Sequence, residues 1–420
     1  MFSESRTLAG YPDGHDAQTL RHDPLFQILA DVSPDAAQPL ASGSTWTRFP
    51  YASTRRQQEL PEEDRPAFGE RDGARTERLN VLNEFLLDWF IRTRRTPPGH
   101  VIRDLDGTDD PVHAQQALAG YHGYYQQHQY FPLLVFEGTS GFPLAAWLRP
   151  GRAGANWGGV DTLDRIVRRL RSAWPDVLIR VRGEQGGAGP ELYEYGEAQG
   201  LLYAFGYASN AVRQRRTEAA LNDGELYDHF YGRRDPWVQR FEVLENYQAG
   251  DGSRPRRIIA KIESNPKGRQ RRFVVTNLSG PPRGTYRGFS VQRGAVPEQP
   301  IGEWKNGWQA DRLSASSFRA NGFGLLLHVV AYALVVLDRA AAAAIPEVAT
   351  ATVSTLRQRL WKAGAVLVSS PQRLWLHVSE SWPGGPVWEP VHRAVEAFVA
   401  QVREGLRSAA PASEAVPMGG

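Results

Sequence analysis

A mixed α/β sheet flanked by helices, interrupted by a mainly β insertion and followed by a helical C-terminal part, is the fold the sequence predicts. Three observations carry it. Between residues 100 and 207, strand-like apolar runs alternate with two amphipathic helical stretches. Between 211 and 289 only short β-like runs recur, and from Glu298 onward helical periodicity returns. The 420 residues suit two units, or one core carrying an insertion.

The elements follow in order. The first 80 residues are irregular, broken by prolines such as Pro12, Pro34, Pro50 and Pro66, with a charged, exposed stretch from Gln57 to Arg75. Leu79, Leu82, Phe85, Leu86 and Trp89 keep helical spacing and predict a helix over Glu77 to Arg92. Val101 to Asp106 is a short strand ended by Gly107, and Tyr124 to Gln129, Pro132 to Glu137 and Leu144 to Leu148 read as further strands. A helix over Asp161 to Trp174 turns Leu163, Ile166, Val167 and Leu170 inward and arginines 165, 168, 169 and 171 outward. A strand over Val177 to Val181, a helix over Glu191 to Gln199 and a strand over Leu201 to Tyr207 complete this part. Gln239 to Glu245, Arg257 to Ile262 and Arg272 to Leu278 are the β-like runs of the insertion. Helices are expected at Glu298 to Gln309, Ser316 to Ala344, Val353 to Ala363 and Pro390 to Leu406, before a disordered tail from Ser408. The resulting divisions are an N-terminal irregular and helical region (1–99), a first core part (100–210), the β-rich insertion (211–289), the last core helices (290–345) and a C-terminal segment with its tail (346–420).

Composition narrows the chemistry. There is no cysteine, which excludes a disulfide scaffold, a thiol nucleophile and a Cys-ligated zinc site. Net charge is only +3, yet just four of the 49 basic residues are lysine. Arginine is the better fork for phosphate oxygens, although a GC-rich genome explains the same bias. No basic segment followed by an apolar run marks the N-terminus as a signal peptide. The apolar run Phe323 to Leu337 falls short of the roughly 20 residues that a membrane span needs. A buried helix, a soluble intracellular protein and no membrane partner are therefore expected.

Carboxylates supply the candidate site. In Arg103-Asp104-Leu105-Asp106-Gly107, strand alternation puts Asp104 and Asp106 on one face at the strand's C-terminal end, where open α/β sheets hold their sites. A turn rich in Asp and Gly, with Asp109 or Asp110 capping the next element, explains the string without any chemistry. Glu184 lies just past the strand ending at Val181, and Glu298 begins a late helix with Lys305 two turns along the same face. Three carboxylates from distant chain positions can hold two divalent ions for phosphodiester chemistry. His113, His122 and His128 fit no common zinc spacing. Arg254, Arg256, Arg257, Lys261, Lys267, Arg269, Arg271 and Arg272 cluster in the insertion with little local acid, which favours contact with a DNA backbone. Arginines 165, 168, 169 and 171 suit either phosphate contact or a solvated helix face. Trp237 and Trp304 are read as core.

Several strings together resemble the DDE transposases of bacterial insertion sequences, specifically insertion-sequence family 1380. They include Leu105-Asp106-Gly107-Thr108-Asp109-Asp110-Pro111, Tyr130-Phe131-Pro132-Leu133-Leu134-Val135-Phe136 and Leu148-Arg149-Pro150-Gly151. Farther on stand Pro190-Glu191-Leu192-Tyr193, Arg272-Phe273-Val274-Val275-Thr276-Asn277 and Ala310-Asp311-Arg312-Leu313-Ser314. The match runs from about Gly10 to Trp382. The resemblance implies an RNase H-like core with a β-rich insertion before the last acid, and cut-and-paste DNA transposition using Mg²⁺, with Mn²⁺ as a substitute. It places the catalytic and metal-binding acids at Asp106, Glu184 and Glu298, a phosphate contact at Lys305 and an orienting role at Arg293. It further implies double-stranded DNA at insertion-sequence ends as partner and a bacterial, nucleoid-associated cytoplasmic location, with a homo-oligomer on DNA left open.

The sequence departs from the family in three places. Glu184 stands in Arg182-Gly183-Glu184-Gln185-Gly186-Gly187 where relatives carry an aspartate. The Tyr-x₂-Arg-x₃-Glu-x₆-Lys signature has Ser290 at its tyrosine and one extra residue between Arg293 and Glu298. The N-terminal region is short relative to the family. A remnant that binds DNA without cutting it therefore stands beside the active transposase as an alternative, with a metal-dependent nuclease lacking strand transfer as a third.

Overall fold

The computed structural model describes residues 7–11, 16–34, 38–48, 68–94, 96–113, 115–184, 186, 189–223, 238–248, 252–265, 268–294, 298–315, 317–370 and 373–409. Within the charged stretch Gln57 to Arg75, residues 57–67 lie outside these, as do Lys267, Trp237 and the tail from residue 410. The chain forms two compact units: Met1–Pro97, Glu303–Ala310 and Arg319–Gly420 in one, Pro98–Gly302 and Asp311–Phe318 in the other.

The N-terminal part contributes α1 (Asp16–Leu20), α2 (Pro24–Leu29), α3 (Gly43–Arg48) and the long α4 (Phe68–Arg92). Asp23 caps α2 by accepting from the Leu25 and Phe26 amides, with Pro24 at the first helical position where a missing N–H costs nothing. The helix Pro24–Leu29 thus arises in a region whose prolines predict irregular chain, because a proline at a helix start is a permissive residue. Ala17, Phe26 and Leu40 form a small core there.

The second unit is built on an eight-stranded sheet. Its first five strands are β1 (His100–Gly107), β5 (Leu133–Glu137), β6 (Pro143–Trp147), β7 (Leu178–Gly183) and β8 (Leu202–Tyr207), in the order β6-β5-β1-β7-β8. β1 pairs antiparallel with β5 and parallel with β7, and β7 pairs parallel with β8. That is the RNase H-like arrangement. The parallel crossovers run through α5 (Gly159–Ala173) and α6 (Pro190–Ala198), whose apolar stripes Leu163, Ile166, Val167, Leu170, Leu192 and Tyr193 are buried.

The strands β9 (Val238–Tyr247), β10 (Arg256–Asn265) and β11 (Gly268–Thr276) continue this same sheet, because β11 pairs antiparallel with β8. Both faces of the extension are covered. Leu221 packs with Leu244, Ile258, Ile262 and Phe273 on one, beyond α7 (Ala211–Arg216). On the other, Tyr286 of α8 (Pro282–Gly294) joins Ala204, Ile259 and Val274. The segment after β1 forms a separate three-stranded sheet in the order β2-β4-β3, from β2 (Asp110–Pro111), β3 (Gly120–His122) and β4 (Gln127–Tyr130).

The remaining helices are α9 (Glu298–Trp308), α10 (Phe318–Ala341), α11 (Pro346–Ala349), α12 (Val353–Leu356) and α13 (Gly385–Ala409). In the first unit Trp304 and Trp308 are buried, and Glu303 takes two 2.9 Å hydrogen bonds from Arg339 of α10. α10 has the length and composition to cross a membrane, but 67% of its apolar window is buried within the protein, as a core helix requires. A hairpin of β12 (Ala365–Ser369) and β13 (Leu374–Val378) separates α12 from α13.

Candidate active site

Asp106 and Glu184 come together at the C-terminal ends of β1 and β7. The parallel register pairs Asp104 with Arg182 and Leu105 with Gly183. Asp106 follows within β1, on the face of Asp104 by strand alternation, and Glu184 follows just past the end of β7, so the two stand at adjoining strand ends. Asp106 is buried and Glu184 exposed, so one carboxylate lines the floor and the other faces solvent.

Asp104 does something different. Arg182 donates from Nε and Nη2 to its two carboxylate oxygens, each at 2.7 Å, with the Asp104 side chain wholly buried and that of Arg182 6% exposed. A planar guanidinium matched to a carboxylate in this way offsets its charge and fills its lone pairs. Gly138 covers the pair, since a Cβ there would sit 2.6 Å from Arg182 Nη2 and 2.8 Å from Asp104 Oδ2. The two aspartates, equivalent in the alternation pattern, are thereby separated: Asp104 belongs to a buried ion pair and Asp106 to the sheet end.

Gly107 lets the chain leave the strand tightly. A Cβ at this position would lie 2.8 Å from Phe131 Cζ and 3.0 Å from Arg149 Nη2. Arg149 is itself buried, donating from Nε to the Phe131 carbonyl at 2.7 Å and from Nη1 to the carbonyls of Ala155 (2.8 Å) and Trp157 (3.1 Å). Burial pushes its guanidinium down to about 10. Arg149 thus fastens the 150–157 loop beside the strand that bears Asp106. The string Leu148-Arg149-Pro150-Gly151 carries the signal, though nothing local in it names those partners.

Tyr125 also belongs to this end of the sheet. Its phenol is pushed up by burial and by the charges of Asp109, Tyr124 and Glu184. Gln127 Nε2 donates to Asp109 Oδ2 at 3.0 Å, which ties Asp109 to the small sheet. Neither Tyr125 nor Arg182 stands out in sequence.

Glu298 opens α9 and Lys305 lies two turns along the same helix, while Arg293 falls at the end of α8. The side chains of Arg293 and Glu298 are outside the described residues. Among the described residues no three His, Asp or Glu side chains gather as a metal-binding group. Asp106 and Glu184 nevertheless give two hard oxygen donors at adjoining strand ends, a donor set suited to Mg²⁺ or Mn²⁺.

Several basic residues of the insertion have partners from elements distant in sequence. Glu197 of α6 accepts from Arg254 Nε at 2.9 Å and from Arg256 Nε and Nη2 at 3.0 Å. Burial alone would raise the Glu197 carboxyl, but hydrogen bonds from Arg256, Tyr203 and Arg254 hold it below the usual range. Arg256 is buried, whereas Arg254 is exposed. Arg257 donates to the carbonyls of Leu278 (2.5 Å) and Gly280 (2.7 Å), and Lys261 pairs with Glu263 at 2.7 Å. Glu218 pairs with Arg269 at 3.5 Å and with Arg271. Acid that is sparse along the insertion is therefore supplied by residues 197 and 218, which come earlier in the chain than its strands.

The family described as Transposase DDE domain group 1 matches residues 4–399. No curated protein matches the chain. Among solved structures, a cryo-EM structure of the piggyBac transposase synaptic complex with hairpin DNA is similar at 11% identity and a TM-score of 0.41, covering 98% of this chain and 74% of that one.

Proposed function

Because the chain belongs to the DDE-domain transposases, we propose that it cuts and joins DNA at the ends of a bacterial insertion sequence of family 1380, with Asp106, Glu184 and Glu298 as its three acids. The observation that carries this reading is the register of β1 on β7, in which Asp104 pairs with Arg182 and Leu105 with Gly183, leaving Asp106 and Glu184 next along the two adjoining strand ends. Divalent ions bound there, Mg²⁺ or Mn²⁺, would supply activation of the attacking oxygen and stabilisation of the leaving one. Asp106 and Glu184 hold such ions through carboxylate oxygens, with Glu298 as third donor. Arg182 occupies both Asp104 oxygens and keeps them out of the donor set. Arg149, Phe131 and Gly107 fix the floor of the site.

Double-stranded DNA is the partner. Lys305 contacts phosphate near the cut, and Arg293, also a DNA-binding residue, orients Glu298. Arg254, Arg257, Lys261, Lys267, Arg269 and Arg271 add backbone contacts along the insertion, where Arg256 serves chiefly to hold Glu197. Several copies assembled on the DNA, in the cytoplasm at the nucleoid, complete the reading.

The longer side chain at Glu184 favours one rival reading, a protein that binds DNA without cutting it. Strand cleavage of the element's own ends with Mg²⁺ or Mn²⁺ separates the two. Cleavage by the natural protein supports the transposase. Cleavage only after Glu184→Asp marks a damaged site on an intact fold, and DNA binding without cleavage in either form leaves the binding protein.

A further inference from the structure

The hairpin that comes after Asp106 carries a ladder of aromatic rings that runs from the floor of the site to solvent. Phe131 is its buried end, pressed where Gly107 has no side chain. His122 stands 5.2 Å from Phe131 between ring centroids, Tyr125 5.1 Å from His122, and Tyr124 5.0 Å from Tyr125 at an interplanar angle of 88°. The ladder ends at Tyr124, which is 84% exposed.

The hairpin is held in place by the segment that leaves the strand. The Thr108 amide donates to the Pro132 carbonyl at 3.1 Å, the Val112 amide to the His128 carbonyl at 2.9 Å, and β2 pairs with β4. The turn itself is closed by the Gln126 amide on the His122 carbonyl at 2.8 Å. Tyr124 is thus a large ring on a supported turn, next to Tyr125, whose phenol feels the charge of Glu184.

We propose that Tyr124 stacks on an unpaired base of the DNA strand processed at Asp106 and Glu184; this rests on the transposase reading above. A base within a duplex already has both faces covered by its neighbours, so an exposed ring can stack only on one that is unpaired or turned out. An aromatic face is the part of the protein that accepts any base without reading its edge. Arg152, which lies across β3 (a Cβ on Gly120 would be 2.7 Å from its Cγ), is exposed. It supplies a cation for the adjoining phosphate. Tyr121 is also exposed but belongs to the other face of the hairpin, where it packs edge-on against His128 at 5.7 Å.

The test uses the full chain with two probes, a single-stranded oligonucleotide containing 2-aminopurine and the same sequence as a blunt duplex. The natural protein should quench the single-stranded probe on binding. Tyr124→Ala should abolish the quenching and weaken single-strand affinity about ten-fold, leaving duplex affinity within about two-fold. Tyr124→Trp should restore both, and Tyr121→Ala should change neither. Unchanged quenching in Tyr124→Ala, or an equal loss on both probes, overturns the proposal. Cleavage assayed in parallel keeps the two readings apart. Absent cleavage by the natural protein counts against the transposase, whereas intact cleavage with undiminished quenching in Tyr124→Ala removes only the stacking role.

Discussion

Replacing Asp104 with asparagine should cost the fold far more than the same change at Asp106, two residues along the strand. Asp104 and Arg182 share two 2.7 Å hydrogen bonds, and their side chains are 0% and 6% exposed. Asparagine keeps the shape but removes the charge, leaving a buried guanidinium without its counter-ion. Breaking a buried pair from one side costs about 3–5 kcal/mol, a large part of the roughly 5–15 kcal/mol typical of a folded domain. Removing both charges is another matter. Asp104→Leu with Arg182→Met replaces two desolvated ions by apolar groups of similar volume and should fall within about 1 kcal/mol of the natural protein, or above it. At Asp106 the same isosteric change leaves the Asp104–Arg182 pair intact, so the loss should be smaller than at Asp104. Urea denaturation followed by circular dichroism reads these differences as shifts of the midpoint. Adding Mn²⁺ gives the second readout, a rise in midpoint that survives in the Asp104/Arg182 double variant and vanishes in Asp106→Asn. Equal losses at Asp104 and Asp106, or a double variant as weak as the single one, would refute the assignment of the two aspartates.

Three further outcomes rest on the same structure. Gly107→Ala places a Cβ 2.8 Å from Phe131 Cζ, so it should destabilise the protein by about 1–3 kcal/mol and lower DNA cleavage by displacing Asp106, both measurable on the purified variant. Burial pushes the Asp338 carboxyl from 3.8 up to about 6, so the folded chain binds its proton more readily than the unfolded one and the penalty is complete above pH 6 and relieved as pH falls toward 4. Asp338→Asn should accordingly raise the melting temperature at pH 8, corresponding to about 1–3 kcal/mol, and leave it unchanged at about pH 4; a gain at both pH values would contradict this origin. Glu197, held below its usual range, contributes stability that is present above the ordinary carboxylate pKa and lost as pH falls through its lowered one. Glu197→Gln should weaken the protein near neutral pH and narrow the difference in acid, as a pH series of melting curves would report.

Much of the core is legible in the sequence because its information is local. The stripe Leu163, Ile166, Val167 and Leu170 can bury only as a helix, and strands separated by such helices pair parallel, which brings Asp106 beside Glu184. The rest depends on long-range pairing. Nothing near Asp104 announces Arg182, 78 positions on, so alternation alone leaves Asp104 and Asp106 equivalent. The insertion reads as a separate β piece since periodicity reports strands but not edges, and it is the pairing of Phe273 through Thr276 with Tyr207 through Ala204 that joins it to the core sheet. The helix Pro282–Gly294 is hidden amid its glycines; its apolar residues Tyr286 and Phe289 are few and anchor it through Ala204 and Ile259 on other strands. The arginines of the insertion look unbalanced because their acids, Glu197 and Glu218, lie earlier in the chain.

Manganese binding to the metal-free protein, followed by electron paramagnetic resonance, tests most directly whether Asp106 and Glu184 form one site. Binding should weaken at least about ten-fold in Asp106→Asn and in Glu184→Gln, and remain near the natural value in the Asp104→Leu/Arg182→Met double variant. Equal affinity in all four proteins would contradict a shared metal site at the ends of β1 and β7.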